Sequence, residues 1–312
     1  MAKDHYVAQT YLRSFSVSGK IGFVNVIRKS NLQRLDAIPL KSICYEIDWS
    51  TNEYFSENPR IVEDYLRIFE PKWADCIKKV SAEEFDKETK YLMSGYIAYL
   101  RACTPTAARL GQGGLSEIVQ QTYDIIEQKE LLNPKTQYRD VIEKIRECGG
   151  TRIDVNKNYP KALGIRSLLG IQARLLEFPW IILKNETTSP FITSDNPVSL
   201  QYWNNNPYCD FYCPITPQVG VAIHPTRSTN AEPDSLASMK PGGVEMLNQL
   251  VIKCAEENVV FNEALGVEAL VKEFQDWRME LLSTKFPAER GSLIVSQQRP
   301  AKRTTSSAGV SI

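Results

Sequence analysis

From residue 59 to residue 149 the apolar side chains recur at steps of three and four, whereas beyond residue 180 they come in short runs cut by Pro, Asn, Ser and Thr. That change of period constrains the fold most, because a 3.6-residue repeat buries one helix face and short interrupted runs bury strands. Ile61, Tyr65, Ile68, Phe69, Trp73, Cys76 and Ile77 predict a long helix over 59–80, with Asn58 as its cap and Pro59 in its first turn. Ser81 followed by Glu84 has the capping-box spacing and predicts a second helix over 81–102. Helices over 116–131 and 136–148 follow, the latter stopped by Gly149-Gly150. Helical periods return at 162–176, 247–258 and 267–282, and Val7, Tyr11, Leu12 and Phe15 form one apolar stripe over 5–16.

Strands are expected over 20–28 and 31–40, and again at 180–183, 191–193, 198–202, 211–213 and 220–224. The fold class expected is therefore α+β, mainly helical, with a small, mostly antiparallel β-sheet. Because strand signals come from both ends of the chain, residues 1–296 read as one interleaved domain, with a split near 150 as the alternative. Residues 297–312 are small, polar and mildly basic, and read as a flexible tail.

Composition narrows the function classes. The 37 basic and 37 acidic residues cancel, so a nucleic acid or nucleotide could be met only through a local patch. The seven scattered cysteines are expected to be reduced thiols, and Cys209, Cys213 and His224 lack a fourth ligand at zinc spacing. The opening residues have no secretory pattern, and the apolar run at 175–183 falls short of the roughly 20 residues that span a bilayer. A cytoplasmic location without membrane contact is expected.

Only His5 and His224 titrate near neutrality in their unperturbed state. Were 5–13 helical, His5, Gln9 and Arg13 would share one polar face, placing a proton-transfer group, an amide and a cation together. The alternative is a histidine that caps a helix or bonds a backbone carbonyl. Ser194, Asp195 and Asn196 put three polar side chains on one loop that could orient a histidine, hold a divalent metal such as magnesium, or act as a base. The same residues before Pro197 are also ordinary turn formers. Arg101 at a helix end can clamp a phosphate or carboxylate, or pair with Glu63 or Glu70. The glycines in 111–114 have neither the preceding strand nor the Gly-Lys-Ser/Thr ending of a phosphate loop.

The segments HYVAQTYLRSF (5–15), IVEDYLRIFEPKWADCIKK (61–79), YLRACTP (99–105), WIILKNETTSPFITSDNPVSL (180–200), CPITP (213–217) and MLNQLVIKCAEENVVF (246–261) together resemble the domain-of-unknown-function family 4238. Ala8 stands where that family's opening motif has proline. The resemblance implies a fold and a set of marked positions, His5 and Asp195 among them, but no settled activity. It suggests that both marked segments belong to one site, with Asp195 favouring the imidazolium form of His5.

Two functions follow as expectations. One is a phosphodiester- or nucleotide-acting hydrolase, nuclease-like and of the kind found in bacterial defence or toxin modules, with His5 and Asp195 catalytic and Gln9, Arg13, Arg101, Ser194 and Asn196 binding substrate. The alternative is a non-catalytic ligand- or partner-binding regulatory domain.

Overall fold

The structure is a computed structural model and describes residues 1–202, 209–225, 234–263, 266–288 and 291–303. The chain opens in strand β1 (Lys3–His5) and a short helix α1 (Gln9–Leu12), followed by a single 3₁₀ turn over Arg13–Phe15. No continuous helix covers 5–16: Ala8 is extended, at φ −61° and ψ 143°. The preceding backbone is taken by strand pairing, and the Tyr6 amide donates to the Cys44 carbonyl at 3.0 Å. The apolar stripe is nonetheless buried, with Val7, Tyr11, Leu12 and Phe15 all closed to solvent. Strands β2 (Phe23–Arg28), β3 (Arg34–Pro39) and β4 (Tyr45–Ile47) follow, and β4 runs antiparallel to β1.

The helix expected over 59–80 is two helices, α2 (Ile61–Phe69) and α3 (Trp73–Ser81), parted by a 3₁₀ turn over Glu70–Lys72. Pro71 sits in that turn, where it cannot donate to an α-helical ladder. Ser81 ends α3 and caps nothing. The cap of α4 (Lys87–Ala102) is Asp86, whose carboxylate accepts from the Thr89 amide at 2.7 Å. Helix α5 (Pro105–Leu132) starts at Thr104 and Pro105 and runs through the glycines of 111–114. A Cβ at Gly111 would press on Pro160, so this glycine lets α5 approach its neighbour. Helices α6 (Arg139–Glu147) and α7 (Asn158–Glu177) complete this half, and Gly149 and Gly150 stop α6 at φ +99° and +78°.

The second half contains β5 (Trp180–Asn185), β6 (Thr193–Ser194), β7 (Ser199–Tyr202), β8 (Cys209–Pro214), β9 (Val219–Ile223) and β10 (Ser235–Met239). Helix α8 (Pro241–Cys254), β11 (Asn258–Phe261), α9 (Val267–Glu273), β12 (Trp277–Ala288) and β13 (Gly291–Lys302) close it. The strands build a five-stranded sheet in the order β10-β5-β9-β8-β7, a four-stranded sheet β3-β2-β11-β6, and the pairs β1-β4 and β12-β13. The four-stranded sheet joins residues 23–39 to 193–194 and 258–261, so the two ends of the chain share one layer. Among the described residues the one parallel pairing is β10 with β5.

The expected fold class is corrected accordingly. With 45% helix, 26% strand and four sheets, the protein is mixed α/β rather than mainly helical with one small sheet. The largest error lay at 267–302. Apolar residues at 267, 270, 271, 274, 277 and 281 keep helical spacing, but the helix ends at Glu273 and Trp277 begins a long hairpin. Residues 297–302, expected as tail, pair with 277–282 along that hairpin. Residues 304–312 lie outside the described residues. No helix among the described residues is long and apolar enough to cross a membrane.

Candidate active site

A cleft of about 250 Å³ opens between β1, α1, α2 and the turn after α2; Asp4, His5, Gln9, Thr10, Glu63 and Glu70 are among its lining residues. Strand pairing sets its floor, because β1 places His5 opposite Tyr45 and Asp4 opposite Glu46. Asp4 is buried, and Arg60 holds its two carboxylate oxygens at 2.7 and 3.1 Å while the Ser50 amide donates at 2.9 Å. Burial alone would raise this carboxyl, but the Arg60 and Ser50 hydrogen bonds and the nearby positive charge outweigh it and leave it low. Asp4 is thus a fixed anion at the edge of the cleft.

His5 is differently placed. The Lys41 carbonyl hydrogen-bonds its ring, while Nε2 is buried and has no partner. With Nδ1–H donating to that carbonyl, Nε2 carries a free lone pair. Burial and the Lys3 charge push the imidazole below its ordinary value, and the Lys41 carbonyl and Asp4 oppose them without prevailing. The ring is therefore a neutral base at pH 7.

Glu70 is the complement. Burial, reinforced by the Glu63 carboxylate, pushes it up to about 7. A carboxyl at that value still holds a proton close to neutrality and can give it up. Thr10 Oγ1, in the same lining, is also buried without a partner. The lining residues thus carry an unpartnered imidazole nitrogen, a carboxyl that exchanges its proton near neutrality and an unpartnered hydroxyl. Two buried side-chain atoms without a partner belong to residues of this one small lining, which makes it the candidate site.

Asp195 is not part of that lining, although its charge reaches Tyr6 and Cys44 beside the β1–β4 pair. It is 3% exposed, and its carboxylate accepts from the backbone amides of Glu256, Glu257 and Asn258 at 2.9, 2.8 and 2.8 Å. Burial pushes it up to about 6 despite those bonds. The acid therefore staples the turn between α8 and β11. Its neighbours join the same junction: Ser194 Oγ accepts from the Asn196 amide at 3.2 Å, and Asn196 Nδ2 donates to the Cys254 carbonyl at 2.9 Å. Lys29, 1% exposed, donates to the carbonyls of Ile252, Ala255 and Trp277, and burial pushes it down to about 8. Asp195 is not among the groups acting on His5, whose shift is downward rather than toward imidazolium.

Of the remaining sequence candidates, Gln9 starts α1 and lines the cleft beside His5. Arg13 is exposed in the turn after α1, and because His5 belongs to a strand the three do not form one helical face. Arg101 pairs with neither Glu63 nor Glu70; its side-chain partner is Gln298. No group of three or more His, Cys, Asp or Glu among the described residues could hold a metal ion, so no residue set for magnesium is assigned.

Sequence reasoning missed Glu70 as a proton-transfer group, although Glu70 stands between Phe69 and Trp73 on an otherwise buried stripe, where an acid is out of place. It also missed a pair at the second histidine. His224 Nδ1 lies 2.8 Å from Asp210, with Nε2 buried and unpartnered. The β8–β9 register brings them face to face, since Phe211 pairs with Ile223 and the next residues out are 210 and 224.

A family model described as a protein of unknown function, DUF4238, matches residues 3–264. The match takes in the cleft, Asp195 and β11, and stops short of the β12–β13 hairpin. No curated protein and no solved structure matches.

Proposed function

Because the chain belongs to the DUF4238 family, whose description assigns no activity, we propose from the geometry of the cleft that it is an enzyme of the general acid–base type, hydrolase in class. The observation that carries this reading is the His5 ring, tied at one nitrogen and free at the other, in one small cleft with a carboxyl raised to about 7. His5 Nε2 takes a proton from water or a substrate hydroxyl, and Glu70 delivers one to the leaving group. Two groups pushed in opposite senses by their surroundings divide the work in this way. With Glu70 in its protonated working form and Asp4 neutralised by Arg60, Glu63 and Lys3 are left to balance in the lining, so the substrate part that enters the cleft is uncharged. Lys3 is the one cation among the lining residues, and no arginine fork is among them to grip a phosphate, which disfavours the phosphodiester reading of the sequence at this cleft.

The alternative, a binding domain without turnover, is favoured by one observation: the acid that was to orient His5 is committed to three backbone amides. A cytoplasmic setting belongs to the same proposal and is supported by seven free cysteines, five of them buried. A defence or toxin role is kept within it; growth arrest on expressing the wild type but not His5→Ala would support it.

The test is a hydrolysis screen on ester, amide, glycoside and phosphodiester substrates with wild type, His5→Gln and Glu70→Gln. Turnover of an uncharged substrate that both variants lower at least about 100-fold supports the enzyme. Turnover that survives both variants sinks the assignment. No turnover in any class, with saturable ligand binding lost in His5→Gln, leaves the binding reading.

A further inference from the structure

The five-stranded sheet has one edge that the helices cover only in part. Ile182 and Lys184 of β5 point to the same face of that sheet. Leu236 of the terminal strand β10 is registered opposite Ile182, and Val219 of β9 opposite Lys184. Helix α3 brings Ile77 and Val80 over this face and ends at Ser81. Between helix and sheet lies a groove of about 440 Å³, and all four sheet residues line it. It runs on into a hollow of about 220 Å³ that is lined also by Phe85 and Asp234. Leu236 belongs to both linings and is 46% exposed, although its register partner Ile182 is buried.

The charges around the groove already answer one another. Lys184 meets Glu83 at 2.6 Å and Glu186 at 3.4 Å, and Asp234 meets Lys90 at 2.8 Å. Glu83 holds the left-handed position after α3, at φ +65°, while the Glu84 amide donates to the Lys79 carbonyl at 2.9 Å. Glycine fits that helix stop most easily, and here a glutamate carries its carboxylate across to β5. Among the described residues the uncommitted polar side chains of the groove, those of Ser14, Ser81 and Gln218, are neutral.

We propose that the groove between α3 and the β10 edge of the sheet binds a small uncharged amphipathic molecule, an apolar body that carries a hydroxyl or amide. Its volume lies within the roughly 300–1,000 Å³ of small-molecule sites. The apolar body rests on Leu236 and Ile182, and the polar end meets Gln218 and the two serines. A carboxylate would have to displace Glu83 from Lys184, and an ammonium would have to displace Lys184 itself, so a charged ligand is rejected. The groove shares no lining residue with the cleft around His5, and its failure leaves the cleft reading untouched.

The test is a fluorescence titration of the full chain with Nile red, an uncharged apolar dye. Competition with 1-octanol, octylammonium chloride and sodium octanoate follows at matched ionic strength. Saturable uptake of the dye is expected, with 1-octanol displacing it at lower concentration than either charged analogue. Leu236→Glu, at a half-exposed position of the edge strand, should weaken both dye and 1-octanol at least about 10-fold, the scale of what burying a leucine contributes. Lys184→Met leaves Glu83 and Glu186 without their ammonium, so octylammonium should become the strongest competitor. That variant decides the matter if Leu236→Glu does not fold. No saturable uptake, uptake unchanged in Leu236→Glu, or a charged analogue that outcompetes 1-octanol in wild type would overturn the site. So would an unchanged order of competitors in Lys184→Met. A wild type that sediments as a dimer, dissociated by Leu236→Glu, would put a second copy of the chain in the groove and overturn the small-molecule assignment.

Discussion

The Tyr11 hydroxyl meets Thr193 Oγ1 at 2.8 Å and donates to the Pro214 carbonyl at 2.6 Å, inside a fully buried pocket. The N-terminal motif and the Ser-Asp-Asn-Pro loop are therefore coupled, but through a structural phenol rather than through His5 and Asp195. Tyr11→Phe would strand a buried hydroxyl and weaken the hold on a buried carbonyl. An unmet buried polar group costs about 1–3 kcal/mol, and urea unfolding of the variant should show a loss in that range.

Asp195→Ala should be far more damaging than a change at an ordinary surface acid. It removes the acceptor of three backbone amides at the α8–β11 turn. At about 1–3 kcal/mol for each stranded donor, a loss of at least about 3 kcal/mol is expected. Chemical denaturation measures it, and an unchanged midpoint would refute the stapling role. This carboxyl has a characteristic pH signature. Burial raises it from 3.8 to about 6, so across that interval the native state binds more protons than the unfolded chain. The contribution of Asp195 to stability accordingly declines as pH rises through the interval.

His5 should titrate below its ordinary 6.5 in an NMR pH series, with its Nε2 resonance reporting an unprotonated nitrogen at pH 7. Any activity of the cleft needs His5 neutral and Glu70 protonated. The rate therefore falls on the acid side through the lowered His5 value and on the alkaline side through about 7. The residual rate of Glu70→Gln should lack the alkaline limb, since an amide has no proton to lose. An alkaline limb that stays in place in Glu70→Gln would remove Glu70 from the assignment.

Gly95→Ala tests the packing of α4 on α2. In an exposed helix the change would gain about 1 kcal/mol from propensity alone. Here a Cβ would overlap the buried ring of Phe69, and overpacking typically costs about 1–3 kcal/mol. Destabilisation is expected, relieved in part by Phe69→Leu in the same chain.

The legible parts of the fold were those whose local signal agreed with their tertiary fate. The strands of 180–224 lie close to where alternation and turn residues put them, and the Gly149-Gly150 stop is left-handed as expected. The stripe Val7, Tyr11, Leu12 and Phe15 is buried as patterned, yet its neighbour His5 is in a strand, because pairing with Tyr45 outcompetes one turn of helix. Pro71 split a helix whose apolar period runs straight through it, and the period alone could not show the break. At the site, His5 and Gln9 were legible as polar positions near the start of the chain. Glu70 was legible only as an ion-pair partner for Arg101, because its raised carboxyl depends on burial by elements distant in sequence. Asp195 stood out for its residue type, but its three amide donors lie beyond residue 255, a contact no local pattern encodes.

The cage around Lys29 also sets an order of events during synthesis. Its ammonium is enclosed by carbonyls that lie 223, 226 and 248 residues further along the chain. While the chain is still emerging, that lysine has only water for company, and β2 lacks the partner strand β11 that would cover it. The four-stranded sheet therefore cannot close until β11 has left the ribosome, and the cage is not complete until Trp277 has followed. A chain stopped at the end of the family match would carry every residue of the His5 cleft and still lack one of the three carbonyls that hold Lys29.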